Sequence, residues 1–150
     1  MTPLFKKLNY KNQSSIIVLN SPESFENELT IMSEYASIVK ELNNVQQADF
    51  SIVFVMQLNQ IHESIASLYP LLKGDAVLWF CYPKATSKKY KCDFNRDTGW
   101  QELGKYGLEG VRMVAVDEDW SALRFRKTEY IKNLARGFVI SDEGKKRTGV

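Results

Sequence analysis

Val111-Arg112-Met113-Val114-Ala115-Val116-Asp117-Glu118-Asp119-Trp120-Ser121-Ala122-Leu123-Arg124-Phe125-Arg126 reads as two strands and the turn between them. Both runs are rich in strand-forming residues, and only three acidic residues separate them, so they pair as an antiparallel hairpin. Centred on Glu118, the hairpin sets Arg112 opposite Arg124; a slip of one residue would undo that pairing. Arg124 and Arg126 share one face of the second strand, because side chains alternate along it.

Upstream the pattern changes. Ser15-Ile16-Ile17-Val18-Leu19-Asn20, Phe50-Ser51-Ile52-Val53-Phe54-Val55-Met56 and Ala76-Val77-Leu78-Trp79-Phe80-Cys81-Tyr82 are continuous apolar runs, as expected of strands buried on both faces. Ser21-Pro22-Glu23 starts a helix after the first run, with an oxygen-bearing cap, a proline and an acid in its opening turn. Phe25, Leu29, Met32, Ala36 and Val39 carry a helical period to about Leu42, where Asn43-Asn44 breaks it. A second helix shows Leu58, Ile61, Ile65, Leu68 and Leu72 on one face. Gly74 ends it, and Pro70 bends or shortens its last turn.

Lys84 to Arg96 is a lysine-rich connection. Asp97-Thr98 then caps a short helix with Trp100 and Leu103, closed by Gly107. The first dozen residues, polar and basic, read as a surface lead-in. Trp79, Trp100 and Trp120 serve mainly as packing residues. A single α/β domain over residues 1–127 precedes a helical or flexible tail, residues 128–150. That tail would hold one short helix with Tyr130, Ile131 and Leu134 before a frayed end.

The order β-α-β-α-β-α-β-β predicts a three-layer α/β domain. It resembles the Rossmann-like sheet of class I methyltransferases, which also closes with a hairpin. The resemblance covers residues 15–127 and implies a mixed sheet of order 1-2-3-5-4 with only strand 5 antiparallel. It also implies a shortened version, lacking the two strands that normally follow the first helix. Val18-Leu19-Asn20-Ser21-Pro22-Glu23, Trp79-Phe80-Cys81-Tyr82-Pro83-Lys84 and Val116-Asp117-Glu118-Asp119-Trp120-Ser121 further resemble a small uncharacterised bacterial family of unknown function. That family implies no activity.

The 150 residues are 44% hydrophobic and 25% charged, enough to build a core without a disulfide or metal staple. No apolar run approaches the roughly 18–20 residues of a membrane span, and no apolar stretch of a signal peptide follows Met1. Cys81 and Cys92 are then free thiols in a reducing cytoplasm. The net charge is +2, but residues 1–75 hold 5 basic and 8 acidic residues, whereas residues 76–150 hold 15 and 10. An anionic partner would therefore meet the second half.

Methyltransferases of this fold hold their cofactor at the end of the first strand with an acid-x-Gly-x-Gly turn. The corresponding stretch, Leu19-Asn20-Ser21-Pro22-Glu23-Ser24, has no glycine. Pro22 removes an amide donor, Glu23 adds a negative charge, and the missing strands would have carried the acid that binds the ribose. The expectation is therefore no cofactor. Asp93-Phe94-Asn95-Arg96-Asp97-Thr98-Gly99 opens like a calcium loop but fails on glycine placement and ends at Gly104 where a glutamate is needed. Asp117-Glu118-Asp119 reads as a solvated hairpin tip, His62 as a lone surface histidine, Cys81 as a buried hydrophobe and Cys92 as a thiol among lysines. No metal site or catalytic set is expected.

The strongest candidate surface is basic. Lys84, Lys88, Lys89 and Lys91 follow the third strand, interleaved with Tyr82 and Tyr90, and Arg112, Arg124 and Arg126 lie on the hairpin. Opposed arginines repel unless an acid or bound anion lies between them. The reading placed first is a non-catalytic binding or interaction protein, its partner left open between an anionic ligand, another protein and a second copy of the chain. The alternative is a phosphate-ligand or nucleic-acid binder acting through Lys84, Lys88, Lys89, Arg112, Arg124 and Arg126. A third reading is a divergent S-adenosylmethionine-dependent transferase using the turn at Asn20, with Lys84 or Tyr82 lining its pocket.

Overall fold

A computed structural model describes residues 1–94 and 98–131. Its centre is a six-stranded sheet, and the sheet is built where the apolar runs fall. β1 (Ser15–Leu19), β3 (Phe50–Phe54) and β4 (Val77–Pro83) pair in parallel; all five β3 side chains are buried, as a sheet covered on both faces demands. β5 (Leu108–Ala115) and β6 (Trp120–Lys127) form the hairpin, and β6 runs antiparallel against β4. Arg112 stands opposite Arg124, with an irregularity between Gly110 and Arg112.

One further strand was not expected. β2 (Ser37–Val39) lies parallel to β1, with Ile16 beside Ile38 and Ile17 beside Val39. The full order is β2-β1-β3-β4-β6-β5. Without β2 it is the 1-2-3-5-4 order of the sequence reading, with its fifth strand reversed. The helix expected to reach about Leu42 is correspondingly short: a 3-10 turn at Glu23–Phe25 leads into α2 (Glu26–Met32). The Ser33 hydroxyl donates to the Thr30 carbonyl at 2.6 Å, and the Tyr35 and Ala36 amides both fold back on the Met32 carbonyl. Ala36 and Val39 fit the helical period only by spacing; Ile38 and Val39 instead pack on opposite layers, as alternating strand residues do.

The opening residues are a second correction. Pro3–Lys7 form α1, with Thr2 as N-cap accepting the Phe5 amide at 3.1 Å. Leu4, Phe5, Leu8 and Tyr10 are buried. Phe5 stacks on Phe50 with ring centroids 5.9 Å apart, and the Trp79 indole donates to the Leu8 carbonyl at 2.8 Å. These residues are core, not lead-in.

α1 and α2 cover one face of the sheet, packing Phe5, Phe25, Leu29 and Met32 on Ile16, Phe50, Ile52 and Trp79. α3 (Leu58–Leu68) and α4 (Gln101–Gly104) cover the other with Ile61, Ile65, Leu68 and Leu103. α3 ends at Leu68, and Pro70 sits in the 3-10 turn that follows. Gly74 (φ 56°) then reverses the chain with a left-handed backbone. At the N-terminus of α3 the Gln57 amide donates to Gln60 Oε1 at 3.0 Å, and the Leu58 amide to Asp93 Oδ1 at 2.7 Å. Beyond β6, Thr128–Tyr130 form a 3-10 turn, and the Thr128 hydroxyl donates to the Gly107 carbonyl at 2.9 Å. The expected cap at Asp97 and the helix position Leu134 lie outside the described residues. Among the described residues, no helix is long and apolar enough to cross a membrane.

Candidate functional site

The carboxyl ends of β1, β2, β3 and β4 lie along one edge of the sheet because all four strands run parallel. Ligands of open α/β sheets gather at that edge. The chain leaves β1 through Asn20, whose φ of 60° is left-handed, and Asn20 Nδ2 donates to the Phe54 carbonyl of β3 at 3.3 Å. After glycine, asparagine is the residue that best tolerates this backbone. Asn9 (φ 65°) and Asn44 (φ 67°) make the same use of it. The bend that glycine supplies in a glycine-rich turn is thus present without glycine. Pro22 contributes no amide donor, and the Phe25 amide is spent on the Pro22 carbonyl at 3.0 Å. Asn20, Glu23 and Ser24 are exposed.

The neighbouring strand ends add three more groups. Beyond β2, Lys40 is tied to Glu26 at 2.7 Å, and among the described residues the exposed Glu41 accepts one long bond, 3.5 Å, from Asn43. Sequence reading missed Glu41 as a candidate because it missed the strand that delivers it. Beyond β3, Met56 is partly exposed. Beyond β4, the Lys84 amide donates to the Asp119 carbonyl at 2.8 Å, so the hairpin tip closes over this end. Behind the edge runs an aromatic row: Phe25 to Phe54, Phe54 to Trp120 and Trp120 to Tyr90, each 5.0 Å between ring centroids. Trp120 Nε1 is buried there with no hydrogen-bond partner among the described residues.

The acidic tip is more than solvated. Asp117 Oδ1 accepts the Asp119 and Trp120 amides at 2.8 and 2.9 Å, and the buried Ser87 hydroxyl donates to Asp119 Oδ1 at 2.8 Å. These carboxylates hold the tip and the lysine-rich loop together.

The six basic candidates fall in three places. Lys84, Lys88 and Lys89 stand at the carboxyl edge, with Lys89 Nζ 5.4 Å from the Tyr90 ring centre. Arg124 lies level with Trp79 and opposite Arg112, well down the hairpin from Trp120, which pairs with Pro83. Arg126 sits further down and is held by Asp75 through two bonds, 3.1 and 2.6 Å. Six strand steps lead from Trp120 to Arg126, about 20 Å, so the lysines and the last arginine cannot share one small ligand.

Tyr82 faces the α3–α4 side, with its hydroxyl 3.8 Å from Met113 Sδ and its ring beside Trp100. It is therefore on the opposite side of the sheet from the aromatic row. His62 is exposed on α3. Cys81 is buried, and burial, aided by the Asp117 carboxylate, pushes its thiol pKa far up. The Cys92 thiol donates to the Phe94 carbonyl at 3.1 Å.

No protein-family model and no curated protein matches the sequence. Solved structures do. The chain is similar to the N-methyltransferase NodS from Bradyrhizobium japonicum, with TM-score 0.51 and 15% identity over 83% of this chain and 91% of that one. It is also similar to a SAM dependent methyltransferase from Aquifex aeolicus, with TM-score 0.55 and 11% identity over 82% and 87% of the two chains. The pyocyanin biosynthetic protein PhzM matches at TM-score 0.52 and 11% identity, over 81% of this chain and 52% of its own. The fold is methyltransferase-like.

That likeness corrects the functional ranking. A non-catalytic binding protein ranks first in the sequence on four features: a turn without glycine, the amide lost at Pro22, the charge of Glu23, and two missing strands that would carry a ribose-binding acid. The glycine-free turn is offset at Asn20, which makes the left-handed bend. Of the two strands expected to be missing, β2 is present and leads to Glu41. The neighbours NodS and the Aquifex aeolicus protein are methyltransferases, and they share this sheet over more than four-fifths of the chain.

Proposed function

We propose that the chain is a divergent S-adenosylmethionine-dependent transferase acting at the carboxyl edge of β1 and β3. The observation that carries this reading is the left-handed bend at Asn20, tethered to the end of β3 within a methyltransferase-like sheet. The residues present suit the donor molecule by side chain where glycine-rich relatives use backbone. The Glu23 carboxylate matches the charge of the donor's ammonium and sulfonium groups. Asn20, Ser21 and Ser24 offer neutral hydrogen-bonding groups. Glu41 is the acid placed for the ribose hydroxyls, and Met56 offers an apolar face for the adenine ring. The donor supplies an electrophilic methyl group on sulfur. The chain's task is to orient that methyl toward an acceptor nucleophile and to exclude water from it. Free thiols at Cys81 and Cys92 support a reducing compartment, and we assign the protein to the cytoplasm.

Calorimetric titration with S-adenosylmethionine tests the proposal. Saturable binding is expected, weakened about tenfold or more by Glu41→Ala, since a hydrogen bond to a charged group contributes about 1.5–3 kcal/mol. No heat of binding at millimolar donor contradicts it.

A further inference from the structure

The hairpin carries two arginines whose placement lacks an internal explanation. Arg112 and Arg124 are direct cross-strand partners on one face of the β5–β6 pair. Opposed side chains in such a pair start with Cβ atoms about 4.5–5.5 Å apart, so the two guanidinium groups can reach a common point. Neither forms an ion pair among the described residues. Of the nearby carboxylates, Asp75 grips Arg126 with two bonds, and the buried Glu109 lies level with Arg126 in the strand register. Arg124 is half-buried, and its Nε is shielded from water with no hydrogen-bond partner among the described residues. Burial first, then Arg126 and Arg112, lower its pKa from the ordinary arginine value, with Asp75 opposing them. A buried donor of a charged group left unpaired, facing a like charge, destabilises the chain unless something supplies acceptors.

We infer that Arg112 and Arg124 together form a binding site for a phosphate oxyanion on the face of the β5–β6 hairpin that also carries Val114 and Ala122. Two planar guanidinium forks carried on neighbouring strands match the several acceptor oxygens of a phosphate, which accepts paired N–H bonds from each. The site lies down the hairpin from the tip and is separate from the bend at Asn20; it requires nothing of the transferase reaction. A phosphate here belongs either to a small phosphate ester or to a phosphodiester chain.

Thermal denaturation of the full chain, in phosphate and in chloride of equal ionic strength, tests the site. Inorganic phosphate at about ten times its Kd raises Tm by about 3–5 °C. Arg112→Ser, at an exposed position, abolishes that rise, whereas the double change Lys88→Glu and Lys89→Glu retains it. Arg112→Glu sets an acid opposite Arg124, raising the phosphate-free Tm by about 2–4 °C while removing the phosphate response. A short oligothymidylate separates the two sources. Stabilisation at far lower phosphate concentration than inorganic phosphate needs identifies a phosphodiester chain, and equal potency per phosphate identifies a small ester. No phosphate-specific rise in the unmodified chain, or a rise that survives Arg112→Ser, overturns the site. So does loss of the rise in the lysine variant alone, or a lowered Tm for Arg112→Glu.

Discussion

At Asn20 a single side chain does two jobs. It accepts a left-handed backbone, and its amide ties the end of β1 to the Phe54 carbonyl. Replacing Asn20 by glycine keeps the backbone and loses only the tether, so stability changes by less than about 1.5 kcal/mol. Asn20→Ala adds the left-handed strain of about 1–2 kcal/mol. Urea denaturation of the two variants should rank glycine above alanine, and the reverse order would show that the bend is relaxed. A second residue-scale outcome concerns Cys81, whose thiol is pushed up from its ordinary value of 9.0 by burial and then by Asp117. The native state therefore keeps a proton that the unfolded chain releases above about pH 9, so stability falls as pH rises past that point. Cys81→Ala should flatten this alkaline loss in denaturation curves recorded between about pH 7.5 and 10. At this scale much was readable beforehand. The Arg112–Arg124 pairing follows from two runs of similar length about Glu118. The bend at Asn20 was hidden by a search for glycine, although asparagine at the end of an apolar run is itself a signal for left-handed backbone.

Two elements escaped the sequence reading, each for its own physical reason. α1 is five residues long, too short to show a period, and its Lys6 and Lys7 dominate the local composition. What makes it part of the core is tertiary: Phe5 against Phe25 and Phe50, and the Leu8 carbonyl under the Trp79 indole. Phe5→Ala should cost about 3–5 kcal/mol in urea denaturation, as a core phenylalanine does, whereas a lead-in residue would cost nothing measurable. β2 failed for a different reason. Met32, Ala36 and Val39 keep a helical spacing across a turn, so the period continues where the helix does not. The long apolar runs of β1, β3 and β4 had no such ambiguity, because strands buried on both faces leave an unbroken signal.

For the whole molecule, the parallel centre and the antiparallel hairpin were legible in the apolar runs and one tight turn, whereas the strand order was only what the resemblance to class I methyltransferases implies. The edge strand and the function were not. Missing glycines, the amide lost at Pro22, the charge of Glu23 and two missing strands speak against a donor molecule in the sequence; Asn20 makes the bend without glycine, and β2 supplies one of the two strands. If the carboxyl edge of β1 and β3 holds an adenosyl ligand, as proposed, NMR titration with S-adenosylhomocysteine gives saturable backbone amide shifts centred on Asn20, Ser21, Glu23, Ser24, Lys40, Glu41 and Met56 to Leu58. An absence of shifts at millimolar ligand, or shifts confined to the β5–β6 hairpin, overturns that placement.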